Sequence, residues 1–140
     1  MMDMYMERIL ELYKKPLNFG EIHDAQVKKT DYNPSCGDMV SMFVKLETAK
    51  RETGGGKPAD EGGRRIIDAK FKGHGCAIST ASASLLTDAV KGKTISEIEK
   101  MGQKEIFALI GIDLSRNPSR LKCAMLPLTV LKQGLKEMKK

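Results

Sequence analysis

Three cysteines and one nearby aspartate are the residues of this 140-residue chain whose types and positions could carry chemistry. Cys36 stands in the stretch NPSCGD with Asp38 two positions later, Cys76 follows GHG, and Cys123 ends the stretch SRLKC. Three thiolates and a carboxylate form a four-ligand set suited to tetrahedral zinc, and the same ligands could hold iron with sulfide. The alternative is that the cysteines are small apolar core residues, and their spacing alone leaves both interpretations open.

Nucleophilic hydrolysis is a weaker interpretation of the cysteines. A catalytic thiol needs a histidine within hydrogen-bond reach, and the chain has only His23 and His74. His74 lies two residues before Cys76, where the two side chains need not face each other, and no orienting Asn or Asp is evident. We expect His74 to be a surface residue of a hairpin; the alternatives are a contact to a metal ligand or a place among the ligands.

Composition argues against several other classes of protein. The net charge of +6 arises from 24 basic and 18 acidic residues that are interleaved, and the aromatic content is 5% without Trp, so a base-stacking surface has little material. No apolar run approaches the roughly 18 residues of a membrane helix, and charges interrupt the first twelve residues, so we expect neither a membrane span nor a signal peptide. We therefore expect a soluble cytoplasmic protein, in which an odd number of reduced cysteines forms no disulfide framework.

Glycines concentrate in the stretch KRETGGGKPADEGG, among charges and with nothing to bury. We expect a mobile hairpin loop at about residues 49–64, within a single domain that spans residues 1–140. The fragment GGGK does not make a phosphate-binding loop, because Pro58 follows Lys57 where that pattern needs Ser or Thr.

The elements that must position the cysteines follow from periodicity. Strands are predicted over residues 21–30, 39–48 and 64–73, and the third is expected to turn Ile67 toward the same face as the later residues Ala69 and Phe71. Helices are predicted before and after these strands. The pattern indicates an α+β fold in which a three-stranded antiparallel sheet packs against several helices.

One predicted helix precedes the strands along the chain, and another follows them. The first, in YMERILELYKKP, is expected to turn one apolar stripe inward and to stop at Pro16; the stripe consists of Met6, Ile9, Leu10 and Tyr13. A second helix is expected directly after Cys76 and is ended by Gly92. Its unpaired N–H groups and positive end would face that thiol, an arrangement that stabilises a thiolate.

The remaining helices carry clear start signals. Thr94 with Glu97 three residues later predicts a capping box, and QKEIFALIGI predicts a further helix. Asn117 is the expected N-cap of the last helix, with Pro118 at its first position. Pro127 cannot donate a hydrogen bond to the carbonyl four residues earlier, so we expect a kink or a restart there.

The stretches NPSCGD, FKGHGCAISTASASLLTDAVKGKT and SRLKCAML resemble, in order, the three cysteine motifs of the IscU/SufU/NifU-N family of iron–sulfur cluster assembly proteins. The N-terminal ILELYKKPLNFGEI is similar to the opening helix and turn of that family, so the resemblance covers nearly the whole chain outside the glycine-rich loop. Lys122 stands where IscU proteins have a histidine, which places the chain closer to the SufU branch. The chain departs from that branch in lacking most of an insertion between the second and third cysteines.

The resemblance implies that Cys36, Asp38, Cys76 and Cys123 bind Zn²⁺, as in SufU-like proteins, or a transient [2Fe–2S] cluster, as in IscU-like proteins. It implies Cys36 as the sulfur acceptor, Cys123 as the alternative acceptor, and Arg120 as a residue that stabilises a thiolate or persulfide anion. The implied partners are a cysteine desulfurase and downstream cluster carriers or apo-proteins. We expect a monomer that binds neither nucleic acid nor membrane. A structural zinc-binding interaction module without sulfur transfer is the alternative function.

Overall fold

The computed structural model describes residues 4–33, 37–47 and 65–138. Cys36 and the glycine-rich loop predicted at 49–64 lie outside the described residues. The described elements are α1 (Met4–Lys14), β1 (Val27–Asn33), β2 (Asp38–Leu46), β3 (Ile66–His74), α2 (Ala77–Val90), α3 (Ile95–Glu99), α4 (Gln103–Ile110) and α5 (Pro118–Met138).

The three strands form one antiparallel sheet in the order β1-β2-β3. β1 pairs with β2 from Val27 opposite Val44 to Asn33 opposite Asp38. Along β2 buried residues alternate with half-buried ones, as expected for a strand with one face on a core. The predicted α+β fold, with a three-stranded antiparallel sheet packed against several helices, is confirmed.

Two helices cover the buried face of the sheet. α5 packs on β1 and β2, α2 packs on β3 and on α5, and α1 and α4 pack on α2. α2 can be surrounded in this way because a run of small side chains on it is buried: Ser79, Ala81, Ser82, Ala83 and Ser84. The hydroxyl of Ser82 donates to the carbonyl of Ala124 at 2.6 Å, which fixes α2 against α5 deep in the core.

Two strand predictions need correction. β1 begins six residues later and ends three residues later than the predicted strand. The prediction that Ile67 shares the buried face is wrong, since Ile67 is 54% exposed and Ile66 is buried. The register between β2 and β3 shifts between Lys45, which pairs with Asp68, and Leu46, which pairs with Ile66. Ile67 is thus an extra residue in β3, and the inward and outward positions of β3 exchange there.

The inward stripe of α1 differs from the prediction at Tyr13. Ile9 is buried as expected, but Tyr13 is 50% exposed and Leu12 is buried in its place. α1 packs against α2, and Leu10 on the same helix is half-buried. The side chain of Met6 lies outside the described side chains.

The predicted helix starts are confirmed. Thr94 Oγ1 accepts the N–H of Glu97 at 3.2 Å, and Glu97 Oε1 accepts the N–H of Thr94 at 3.4 Å. Asn117 Oδ1 accepts the N–H of Arg120 at 3.3 Å at the start of α5. α5 runs through Pro127 as one helix, so the predicted restart is absent. Among the described helices, none combines the length and the apolar character that crossing a bilayer requires.

The segment between α1 and β1 lies along the outer edge of β3. Gly20 donates to the carbonyl of Phe71 at 2.9 Å, and the N–H of Phe71 donates to the carbonyl of Asn18 at 3.0 Å. The rings of Phe19 and Phe71 meet edge to face with centroids 5.4 Å apart. Asn18 also donates through its side chain to Thr87 at 3.2 Å, so this segment joins the sheet to α2.

Candidate metal centre

Three of the four predicted ligands meet where β2, α2 and α5 begin. Asp38 is the first residue of β2, Cys76 is the N-cap of α2, and Cys123 lies in the second turn of α5. One ligand atom from each of the three lies within 4.8 Å of the others. The fourth predicted ligand, Cys36, lies outside the described residues and is joined to Asp38 through Gly37.

Asp38 is held by the backbone of the residue that it faces. Its side chain is buried, with a relative exposure of 2%, and its Oδ1 accepts the N–H of Cys76 at 3.0 Å. Its Oδ2 lies 3.8 Å from the Sγ of Cys76. One carboxylate oxygen is therefore engaged with the backbone, and the other faces the thiol.

Two glycines of the GHG stretch allow this close approach. Gly73 has a φ of +145°, and a Cβ there would lie 2.0 Å from the carbonyl oxygen of Met39 on the neighbouring strand. At Gly75 a Cβ would lie 2.6 Å from Asp38 Oδ1 and 2.5 Å from Ser79 Oγ. Residue 75 therefore has to be glycine, because a side chain there would collide with the Asp38 carboxylate.

Ser79 is a neighbour of Cys76 that sequence reasoning missed. Its hydroxyl donates to the carbonyl of Cys76 at 3.0 Å, and its Oγ lies 3.9 Å from the Cys76 Sγ. Ser79 is nearly fully buried, whereas Cys76 is half-buried. The available signal was a serine at the third position of the helix predicted after Cys76, from which a side chain reaches back over the helix start.

Cys123 is buried, with 3% exposure, and belongs to the hydrophobic core as well as to the cluster. Its neighbour in the chain, Ala124, accepts the hydrogen bond from Ser82 of α2. The contact between α2 and α5 therefore places Cys123 beside Cys76. Burial in the core is therefore compatible with a place among the candidate ligands for this cysteine.

The donor set fits a zinc or iron–thiolate site. With Zn–S near 2.3 Å and Zn–O near 2.0–2.2 Å, two ligand atoms of a tetrahedral site are about 3.5 Å apart. The observed separation of 3.8 Å between Asp38 Oδ2 and Cys76 Sγ is close to this value. Two thiols and one carboxylate in a largely buried place are donors that zinc accepts, and thiolates also bind iron in clusters.

His74 and Arg120 stand outside the cluster that the described residues form. His74 is exposed at the end of β3 and lines a surface groove of about 480 Å³ together with Tyr13 and Phe19. Arg120 is exposed in the first turn of α5, three residues before Cys123. Residues with this spacing lie on the same side of a helix, one turn apart.

The fold and the site define a class of small α+β proteins in which one strand and two helices bring a carboxylate and thiols together. The chain belongs to the family described as NifU-like N terminal domain, whose family model matches residues 4–140.

Two curated relatives cover almost the full length of the chain. One is the zinc-dependent sulfurtransferase SufU of Bacillus subtilis, which is 34% identical, with 94% of this chain and 89% of the relative aligned. Another is the iron–sulfur cluster assembly scaffold protein IscU of Thermotoga maritima, which is 32% identical, with 96% and 94% aligned.

Solved structures share the fold. A crystal structure of a candidate iron–sulfur cluster assembly scaffold protein for the SUF system from Fervidobacterium islandicum superposes with a TM-score of 0.71 at 26% identity, covering 95% of this chain and 99% of that one. The N-terminal part of a NifU-like protein from Brucella abortus reaches a TM-score of 0.74 at 15% identity, with 95% and 92% covered, which is a likeness of fold.

Proposed function

We propose that this protein accepts persulfide sulfur from a cysteine desulfurase at a metal site formed by Cys36, Asp38, Cys76 and Cys123. It would act as a zinc-dependent sulfur acceptor, as a scaffold for a [2Fe–2S] cluster, or as both. The observation that carries the proposal is the convergence of Asp38, Cys76 and Cys123 within 4.8 Å. The names of the SufU and IscU relatives support the zinc and the cluster form respectively.

In the proposed transfer, the Cys36 thiolate attacks the outer sulfur of the persulfide on the desulfurase. The sulfur–sulfur bond of that persulfide breaks, the desulfurase cysteine leaves as a thiolate, and Cys36 becomes the persulfide. The reaction is an exchange with no net oxidation. Cys123 is the alternative acceptor, and its 3% exposure argues against a first attack by its sulfur because an attacking thiol needs access.

The other site residues have distinct proposed roles. A bound zinc ion would keep the thiols deprotonated without redox chemistry of its own. The Asp38 carboxylate is a harder ligand than a thiolate, which makes the site easier to open. Arg120, one turn before Cys123, would stabilise the thiolate or persulfide anion.

The proposed partners are the desulfurase and the downstream carriers or apo-proteins that take up sulfur or a cluster. Tyr13 and Phe19 are exposed aromatic residues that line a surface groove together with His74 and Gly75. Gly75 directly precedes Cys76, so the groove lies next to the proposed site. Exposed aromatic residues at such a place are suited to contact with another protein. We expect a single-domain monomer in the cytoplasm, where thiols are kept reduced.

Sulfur transfer is tested by mixing the purified protein with a cysteine desulfurase and cysteine. We expect faster alanine release and the mass of one added sulfur on the peptide that contains Cys36. Cys36→Ser should lose both effects, whereas Cys123→Ser should retain the first sulfur addition. If the wild-type protein neither speeds alanine release nor gains sulfur, the proposal fails.

The role of Arg120 is tested in the same assay. Arg120→Ala should slow the addition of sulfur, while Arg116→Ala removes a charge just before α5 and should not. The identity of the metal follows from analysis of freshly isolated protein for zinc against iron with labile sulfide. A protein that holds zinc and never accepts sulfur would be a structural zinc module instead.

A further inference from the structure

We propose that Ser79 is a positioning residue that donates a hydrogen bond to the metal-bound thiolate of Cys76 and so sets how strongly this sulfur binds the ion. The inference rests on the proposed metal site, and it adds a residue that acts through one of the ligands. Ser79 is not one of the four proposed ligands, of which Asp38, Cys76 and Cys123 lie together in the structure.

The geometry places the hydroxyl of Ser79 within reach of the sulfur. Ser79 Oγ lies 3.9 Å from Cys76 Sγ and 3.0 Å from the carbonyl oxygen of Cys76, to which it donates. The Ser79 side chain is 2% exposed, so bulk water does not compete for the hydroxyl. The hydroxyl can therefore turn between two atoms of Cys76, its carbonyl oxygen and its sulfur.

The carbonyl of Cys76 can release the hydroxyl without losing its hydrogen bonding. The backbone N–H of Thr80 donates to the same oxygen at 3.1 Å, as the first hydrogen bond of α2. A hydroxyl hydrogen rotates about the Cβ–Oγ bond without moving heavy atoms. Turning it toward the sulfur would leave the carbonyl still bound to a backbone donor.

Metal binding reverses the direction of the contact between Ser79 and Cys76. A protonated thiol donates to the serine oxygen, but a metal-bound thiolate has no proton and can only accept. The contact then persists only if Ser79 becomes the donor. A donor of this kind fixes the orientation of the ligand and withdraws electron density from the sulfur, and losing such contacts typically costs about 10–100-fold in metal affinity.

The test uses the full chain loaded with Co²⁺, which reports on thiolate ligands through a sulfur-to-cobalt charge-transfer band. Ser79→Ala should shift that band to longer wavelength, because the sulfur electrons lose a stabilising hydrogen bond. Competition with a chromophoric chelator should give zinc binding about 10-fold weaker than in the wild type. Ser84→Ala is the matched control, since Ser84 is buried on the same helix and accepts the N–H of Leu17 at 3.2 Å, away from the cluster.

A second pair of variants separates the hydroxyl from the shape of the side chain. Ser79→Thr and Ser79→Val add nearly the same volume, and only the threonine keeps a donor. We expect the threonine variant to retain the wild-type band position and the valine variant to shift as the alanine variant does. This pair also decides the question if the alanine variant does not fold.

Several results would overturn the inference. An unshifted band in Ser79→Ala and Ser79→Val, or an equal shift in Ser84→Ala, would show that the hydroxyl of Ser79 does not act on the sulfur. If the wild-type protein binds neither cobalt nor zinc, the proposed function fails and the role of Ser79 fails with it. If the wild type binds both ions and accepts sulfur while Ser79→Ala behaves identically, only the role of Ser79 fails.

Discussion

The carboxylate of Asp38 accepts the backbone N–H of Cys76 at 3.0 Å, so the first residue of β2 holds the N-cap residue of α2. This hydrogen bond joins two positions 38 residues apart and needs no metal ion. The second oxygen of the same carboxylate lies 3.8 Å from the Cys76 sulfur. A substitution that preserves the backbone contact and removes the charge can therefore separate the two roles.

Asp38→Asn is that substitution. The amide oxygen can still accept the N–H of Cys76, and a carboxylate with 2% exposure no longer has to be buried beside a thiol. We expect the metal-free variant to be more stable than the wild type by about 1 kcal/mol. The stabilisation that zinc adds should be much smaller, because a neutral amide is a poor zinc ligand. Urea unfolding with and without zinc measures both effects, and equal stabilisation by zinc in both proteins would contradict the ligand role.

Gly75→Ala should weaken metal binding through crowding. The added methyl group would lie 2.6 Å from Asp38 Oδ1 and 2.5 Å from Ser79 Oγ, so the carboxylate has to move. We expect at least a 10-fold loss of zinc affinity, as is typical when a ligand is displaced or misoriented. Gly102→Ala is the control, because its methyl group would come no closer than 3.8 Å, to Glu105 Oε2. Chelator competition should leave that control close to the wild type.

Acid should weaken the fold through two helix caps. The N–H groups of Thr94 and Gly102 donate to Glu97 and Glu105, and these hydrogen bonds hold the pKa of both carboxyl groups below the ordinary value of 4.5. The folded state then binds protons less readily than the unfolded state, so the caps stabilise the fold above about pH 4.5 and lose their effect as the pH falls through the lowered values.

The double variant Glu97→Gln, Glu105→Gln tests this pH dependence. Glutamine can serve in a capping box and does not titrate, so stability at neutral pH should change little while the loss below pH 4.5 becomes shallower. Thermal unfolding followed by circular dichroism from neutral to acid pH gives both curves. Parallel curves for the variant and the wild type would show that the two caps do not cause the acid sensitivity.

Removal of metal should leave the secondary structure in place. The sheet and the helices are joined by a continuous hydrophobic core that includes Met42, Leu86 and Leu131, and Asp38 keeps its backbone contact without an ion. We expect far-UV circular dichroism to be nearly unchanged after chelation, with a modest fall in the unfolding temperature. Domains that depend on structural zinc lose their fold under the same treatment, so extensive unfolding would favour the structural zinc module.

Local signals in the sequence were sufficient for the helix starts and for the type of fold. Thr94 and Glu97 satisfy each other within four residues, and Asn117 caps α5 through its own side chain, so the hydrogen bonds that mark both starts are local. The bounds of β1 and the face of Ile67 were missed because they depend on the partner strand. The bulge between Lys45 and Leu46 is a property of the pairing and leaves no mark in the residues of β3 alone.

The candidate site could likewise be predicted from the sequence only in part. The types of the ligands could be chosen from the sequence, because thiols and carboxylates are the donors of zinc and iron sites. Their meeting depends on how closely α2 approaches α5, which follows from the packing of small residues such as Ser82 against Ala124. Ser79 was missed because a serine at a helix start has an ordinary capping use, and its relation to the sulfur appears only in three dimensions.

The hydrogen bonds that join Phe71 to Asn18 and Gly20 also bear on aggregation. The outer edge of β3 is covered at this point by the chain itself, so another molecule cannot extend the sheet there by strand addition. The opposite edge strand, β1, carries the exposed Lys28, and an edge lysine opposes the pairing of two identical strands. The outer edge of β3 is therefore protected by covering chain and that of β1 by charge, and both devices oppose association through the sheet.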